Sequence, residues 1–187
     1  MTTIVGISGS LRKGSYNSAL LRLASELAPQ GVEVRITSIA DIPLYNGDLE
    51  ASDGLPPAVK HLKDQIKAAD GVLIATPEYN NSMPGVLKNT IDWLSRPASD
   101  IPQVFGGRPF ALIGATIGGG GTMLAQNAWL SVFRLLGVQP FFGGRLPVSG
   151  AEKVFDEQGH LRDENLRDKV KKFMVDYAAF VKKERGQ

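Results

Sequence analysis

Three short segments carry residue types that could do chemistry, and each follows an apolar run of strand length. The first reads Ser8-Gly9-Ser10-Leu11-Arg12-Lys13-Gly14-Ser15-Tyr16-Asn17-Ser18 and leads into a run of helical period. A phosphate group needs several donors converging from one side. Main-chain N–H groups at a helix N-terminus supply some of them and hydroxyls supply others. Gly9 lets the backbone come close to a ligand, and Arg12 adds a charge-assisted, forked contact. The glycine spacing is neither that of a Walker A loop nor that of GxGxxG, which argues against nucleotide hydrolysis and against Rossmann-type dinucleotide binding. The plain alternative is a polar turn capped by Ser15 or Asn17.

The second segment, Thr76-Pro77-Glu78-Tyr79-Asn80-Asn81-Ser82-Met83-Pro84-Gly85, offers a flat aromatic face at Tyr79. Main-chain amides beside it suit the edge of a heteroaromatic ring. Its plain alternative is a loop tied by Asx turns, with Tyr79 as a lid on the core. The third, Thr116-Ile117-Gly118-Gly119-Gly120-Gly121-Thr122, leaves four residues of bare backbone against which a ring or a second nucleotide could sit, unless it is only a flexible connector.

These segments need a frame that brings them together. Strand-length apolar runs at 3–8, 32–37, 71–76, 109–116 and 138–142 alternate with helical patterns at 17–28, 56–69, 84–94, 122–136 and 164–183. Residues 38–55 and 95–108 read as connecting loops, with turn signals at Asn46-Gly47 and Asp53-Gly54 in the first. Five strands alternating with five helices imply an α/β sandwich of three layers, with a parallel sheet covered on both faces. The order 2-1-3-4-5 follows, and a ligand then sits outside the carboxyl ends of strands one and three. The three polar segments are the loops that meet there. One domain over residues 1–187 is expected, since no linker or repeat interrupts the pattern.

Composition removes several classes of function. There is no cysteine, which excludes disulfides, thiol nucleophiles and iron–sulfur ligands. The two histidines, His61 and His160, have no ligand spacing, so no metal site is expected. Redox chemistry would therefore need an organic cofactor. The formal charge is only +2, and the lysines of the last helix read as a solvated face, which argues against nucleic acid. No apolar stretch reaches membrane-spanning length, and the N-terminal residues lack the features of a signal peptide, so a cytoplasmic location is expected.

Taken together, Gly9-Ser10-Leu11-Arg12-x-x-Ser15-x-Asn17, Pro77-Glu78-Tyr79-Asn80 and Pro84-Gly85-x-Leu87-Lys88-Asn89-x-Ile91-Asp92-Trp93 resemble the NADPH-dependent FMN reductase family, which includes quinone, chromate and azo-dye reductases. The resemblance runs from Ile4 to the last helix. It implies a flavodoxin-like fold and bound FMN. It places Ser10, Leu11, Arg12, Ser15, Asn17 and Ser18 around the phosphate, and Pro77, Glu78, Tyr79 and Asn80 along the isoalloxazine ring. Thr116, Gly118, Gly119 and Gly120 would lie nearby. It also implies a homodimer, or a homotetramer of dimers, joined through the helix at 84–94 and its flanking loops.

The activity so implied is hydride transfer from NADPH or NADH, through FMN, to a small acceptor such as a quinone, free flavin, azo dye or chromate. Such transfer needs the nicotinamide C4 roughly 3.5 Å from the flavin N5, and no protein acid or base, so no single catalytic residue is expected. A flavodoxin-type electron carrier without a nicotinamide site is the main alternative. Carriers of that kind are strongly acidic, and this chain is near neutral. A phospho-receiver domain would need an acidic pair after strand one, where Ser8-Gly9-Ser10 stands.

Overall fold

A computed structural model describes residues 1–186. The chain begins with strand β1 (Thr2–Ser8) and helix α1 (Tyr16–Glu26), followed by β2 (Val32–Thr37), α2 (Gly47–Asp53) and α3 (Pro57–Ala68). Then come β3 (Gly71–Ala75), α4 (Gly85–Leu94), a 3-10 turn (Ala98–Asp100) and α5 (Ile101–Val104). The last part contains β4 (Pro109–Ala115), α6 (Met123–Leu136), β5 (Gln139–Pro140), β6 (Leu146–Val148), α7 (Ala151–Val154) and α8 (Glu164–Glu184).

The strands form one parallel sheet in the order β2-β1-β3-β4-β5, with β6 also paired to β4. This is the flavodoxin-like order expected from the sequence. Side chains alternate across it, as the pleat requires. Ile4 and Leu73 point to the layer of α1 and α8, whereas Val5, Ile7, Val72 and Ile74 point to the layer that holds α3, α4 and α6. All five residues of β3 are buried, as a central strand covered on both faces must be. The stripe of α8, Leu166, Val170, Phe173 and Tyr177, is buried as its 3.6-residue period predicts. The Tyr177 hydroxyl lies 2.8 Å from the Val72 carbonyl and 3.1 Å from that of Pro109, and complete burial pushes its pKa up, so it remains a donor.

Three expectations are corrected. Residues 38–55 are not a plain loop: Asn46 caps α2 by accepting from the Asp48 N–H, so the Asn46-Gly47 pair starts a helix. This strap is tied to α4, because the Pro43 carbonyl accepts from Trp93 Nε1 and Asn89 Nδ2, and Arg96 Nε lies 2.8 and 3.0 Å from the Glu50 carboxylate oxygens. Residues 95–108 contain the 3-10 turn and α5, whose C-terminal carbonyls receive the buried Arg108 guanidinium. The fifth strand at 138–142 is split. Pro140 still pairs with Phe110, but Phe141 turns toward α8, where its ring centroid lies 5.5 Å from that of Phe173 and 5.4 Å from that of Tyr177. The chain rejoins β4 three residues further along, at Leu146 beside Ile113.

Candidate functional site

The parallel register carries the chain of β1, β3 and β4 out of the sheet at one end, so the loops after these strands adjoin. Gly9 shows how closely. Its N–H donates to the Ala75 carbonyl at 2.8 Å, and a Cβ built on it would lie 2.8 Å from Leu87 Cδ2 and 2.9 Å from Pro77 Cδ. Only glycine lets the first loop lie against the second loop and α4.

Within the first loop, Ser15 caps α1 by accepting from the Ser18 N–H, and the Ser8 and Ser18 hydroxyls are 2.8 Å apart. Ser10 Oγ accepts from the Arg12 N–H at 3.4 Å. The N–H groups of Leu11, Tyr16 and Asn17 donate to no group of the described chain. They are the free donors that a helix start provides for an anion. Arg12 is exposed, has no carboxylate partner among the described residues, and holds its guanidinium carbon 5.5 Å from the Tyr16 ring centroid. The capped turn and the anion site are therefore compatible: Ser15 closes the helix while neighbouring N–H groups stay unpaired.

The Asn17 side chain is committed within the chain. Its carboxamide is buried and engaged at both ends, donating to the Ala115 carbonyl at 2.8 Å and accepting the Ala115 N–H at 2.9 Å. What Asn17 has left for a ligand is its main-chain N–H. Its side chain locks the start of α1 to the end of β4. The sequence held a sign of this, since Asn17 falls on the same buried face of α1 as Leu20, Leu21 and Ala24.

In the second loop Pro77 is buried, and Tyr79 and Ser82 exchange two main-chain hydrogen bonds of 3.0 Å. Asn80 and Asn81 between them have φ of 50° and 61°, the left-handed pair of a two-residue hairpin turn, which Asn tolerates well. The turn lifts Tyr79 clear of the core; it is half exposed and is not a lid. Glu78 reaches across to α6, where its Oε2 accepts from the N–H groups of Leu124 at 2.9 Å and Ala125 at 3.0 Å. A carboxylate at this helix start satisfies two orphan donors and opposes the positive end of the helix dipole. No sequence motif announced this pairing across 46 residues.

The third loop begins at Thr116, whose Oγ1 accepts from the Gly118 N–H at 3.3 Å. Gly118, Gly119 and Gly120 are exposed, and none of them has the left-handed φ that would require glycine. A Cβ on Gly119 would meet nothing within 4 Å, and those on Gly118 and Gly120 would only graze Thr116 Oγ1 at 3.8 Å and Glu78 Oε1 at 4.0 Å. Neither the backbone conformation nor packing within the chain explains the glycines. All the site residues expected from the sequence thus lie on three adjacent loops and the first turn of α1. Among the described residues no three His, Asp or Glu side chains gather as metal ligands, and no helix is long and apolar enough to cross a membrane.

Comparison with known proteins agrees with this geometry. Residues 2–153 match the family model of NADPH-dependent FMN reductases. The chain is 45% identical over 183 residues to the NAD(P)H-dependent FMN reductase PA1204 of Pseudomonas aeruginosa, covering 98% of this chain and 97% of that one. It is 37% identical over 186 residues to a quinone reductase of Escherichia coli, covering 96% and 95% of the two chains. Among solved structures, the flavoenzyme NAD(P)H:(acceptor) oxidoreductase FerB of Paracoccus denitrificans superposes with a TM-score of 0.87 at 33% identity, over 98% of this chain and 99% of that one. The loops, the sheet order and these likenesses lead to one conclusion: the chain belongs to the NADPH-dependent FMN reductase family.

Proposed function

We propose that the protein binds FMN across the three loops and uses it to pass electrons from NADPH or NADH to a small oxidised acceptor such as a quinone. The observation that carries this reading is the run Gly118-Gly119-Gly120, three glycines required neither by φ nor by neighbours inside the chain. A planar ligand lying against the main chain requires them. The unpaired N–H groups of Leu11, Tyr16 and Asn17, beside Arg12 and the Ser10 hydroxyl, fit the phosphate of the same ligand.

Bound FMN would supply the two-electron chemistry, and the chain's part is to hold and shape the slot. Pro77, Glu78, Tyr79 and Asn80 form one wall, with Thr116 and the glycines opposite. Glu78 fixes the spacing of the two loops by gripping the start of α6. The turn at Asn80-Asn81 keeps Tyr79 at the rim, where it can cover an aromatic substrate. No cysteine, metal cluster or buried acid is needed. The protein would assemble as a homodimer or homotetramer through α4 and the strap before it, where Leu44, Tyr45 and Leu49 expose apolar surface.

The test is spectroscopic. Purified protein, or protein incubated with FMN, should show the flavin band near ~450 nm, and that band should bleach when NADPH or NADH is added without oxygen. A band that neither nucleotide bleaches would favour an electron carrier. Failure to bind FMN would refute the assignment of all three loops.

A further inference from the structure

Two helix starts flank the candidate site, and they treat charge in opposite ways. At the approach to α1 the N–H groups of Leu11, Tyr16 and Asn17 stay unpaired. At α6 the first three N–H groups are all taken. Met123 donates to the Gly120 carbonyl at 3.0 Å, and Leu124 and Ala125 donate to Glu78 Oε2 at 2.9 and 3.0 Å. No lysine or arginine forms an ion pair with Glu78 among the described residues. Its second oxygen, Oε1, accepts no hydrogen bond within the described chain, and it lies 4.0 Å from where a Cβ on Gly120 would stand. A half-buried carboxylate with one oxygen free therefore faces the glycine loop.

We infer that the charge of Glu78 holds down the reduction potential of the bound flavin, so that the reduced protein gives up its electrons readily. This rests on the proposed FMN site. Hydride transfer to an uncharged ring leaves that ring with one negative charge. A helix start with free N–H groups would stabilise the new charge, as donors do at a developing oxyanion. Glu78 occupies those donors and opposes the positive end of α6 with a charge of its own. The reduced ring then has a carboxylate beside it, and the reduced form is the one disfavoured. A unit charge roughly 10 Å away, across an effective dielectric of about 20, shifts the balance between the two forms roughly tenfold. The grip of Glu78 on α6 is a separate contribution. A slot of the right shape binds oxidised and reduced FMN alike, and a ligand site with no preference between two forms does not shift their balance.

The experiment measures the midpoint potential of the FMN-loaded protein, without oxygen and against a reference dye, for wild type and Glu78→Gln. Glutamine keeps an oxygen for the Leu124 and Ala125 N–H groups and removes only the charge. The potential of Glu78→Gln should rise by about 30 mV, which for a two-electron couple is a tenfold change in the ratio of the affinities for reduced and oxidised FMN. Thermal melting of the FMN-free variant should stay close to that of wild type. Glu78→Asp and Glu78→Asn repeat the comparison one methylene shorter. Both should melt lower as the grip on α6 loosens, and Asn should show the higher potential of the two. If Glu78→Gln does not fold, this second pair decides. A potential that differs by less than about 10 mV within the pair, a twofold change, would overturn the inference and leave Glu78 a clasp that affects both forms of FMN equally. A fall in potential on loss of the charge would overturn it too. Wild type that binds no FMN would refute the proposed function and this inference together, whereas an unmoved potential refutes the inference alone.

Discussion

Replacing Asn17 by alanine should cost more than any other single change in the candidate site, and the cost can be worked from two hydrogen bonds. The carboxamide meets the Ala115 N–H at 2.9 Å and its carbonyl at 2.8 Å, and Ala115 is only 3% exposed. Asn17→Ala removes both partners and leaves a buried donor and a buried acceptor unpaired. Each such group costs about 1–3 kcal/mol. Partial entry of water and small backbone shifts reduce the sum, so about 2–4 kcal/mol is expected. For a chain of this length each kcal/mol moves the melting temperature by about 2–4 °C, which gives a fall of roughly 5–15 °C. Thermal unfolding of the FMN-free protein, followed by far-ultraviolet circular dichroism, measures this without interference from the ligand. Asn17→Asp is the companion variant. It keeps an acceptor for the Ala115 N–H but sets a carboxylate against the Ala115 carbonyl, so it should also melt well below wild type. If Asn17→Ala melted within ~2 °C of wild type, the two bonds would not join the first loop to β4, and the structural role given to Asn17 would be wrong.

Other variants separate binding from folding. Gly119→Ala should leave stability unchanged or raise it by about 0.4–1 kcal/mol, because φ and space both permit alanine, while FMN affinity measured by flavin fluorescence should fall about tenfold or more. Arg12→Gln should weaken FMN by roughly 10–100-fold, equivalent to a charge-assisted hydrogen bond of about 1.5–3 kcal/mol, with little change in urea midpoint. Glu78→Ala should lower stability by about 1–3 kcal/mol through two orphaned N–H groups at the start of α6, and FMN should bind less tightly as the loops drift apart. Acid should destabilise the fold through three carboxylates whose pKa values lie below the ordinary range. Asp100 is held there by the Lys63 ammonium, Glu50 by the Arg96 guanidinium and Asp156 by the His160 main-chain N–H. A lowered folded pKa contributes stability that is complete above the unfolded pKa of about 4 and is lost as pH falls below it. Urea midpoints should therefore hold from pH 7 to 5 and drop between pH 4 and 3.

Periodicity made most of the frame legible. The apolar alternation of Val32, Val34 and Ile36 marks β2, and the buried stripes of α3 and α8 follow directly from their apolar spacing. The split at Phe141 was not legible. An apolar run from Val138 to Phe142 suits a strand, and only the aromatic cluster on α8 gives Phe141 a better place. Helix α2 was hidden because Asn46-Gly47 signals a turn and a helix cap alike, and the choice depends on the strap's ties to Trp93, Asn89 and Arg96. The site divides in the same way. The hydroxyl-rich first loop and the bare glycine backbone of the third are legible in the sequence. The reach of Asn17 to Ala115 and of Glu78 to α6 joins segments 98 and 46 residues apart, and local pattern does not encode such pairings.

The interrupted fifth strand bears on how the protein keeps apart from its own kind. A parallel sheet has two edges, and a long bare edge invites another chain to add a strand. Here one edge is broken into segments of two and three residues, each containing a proline that cannot donate to a ladder. The other edge, β2, carries the charged pair Glu33 and Arg35. Neither edge presents a flat, apolar run of backbone groups. Concentrated stocks should accordingly resist fibril formation, and a variant that restored an unbroken, apolar fifth strand should be the first to lose that resistance.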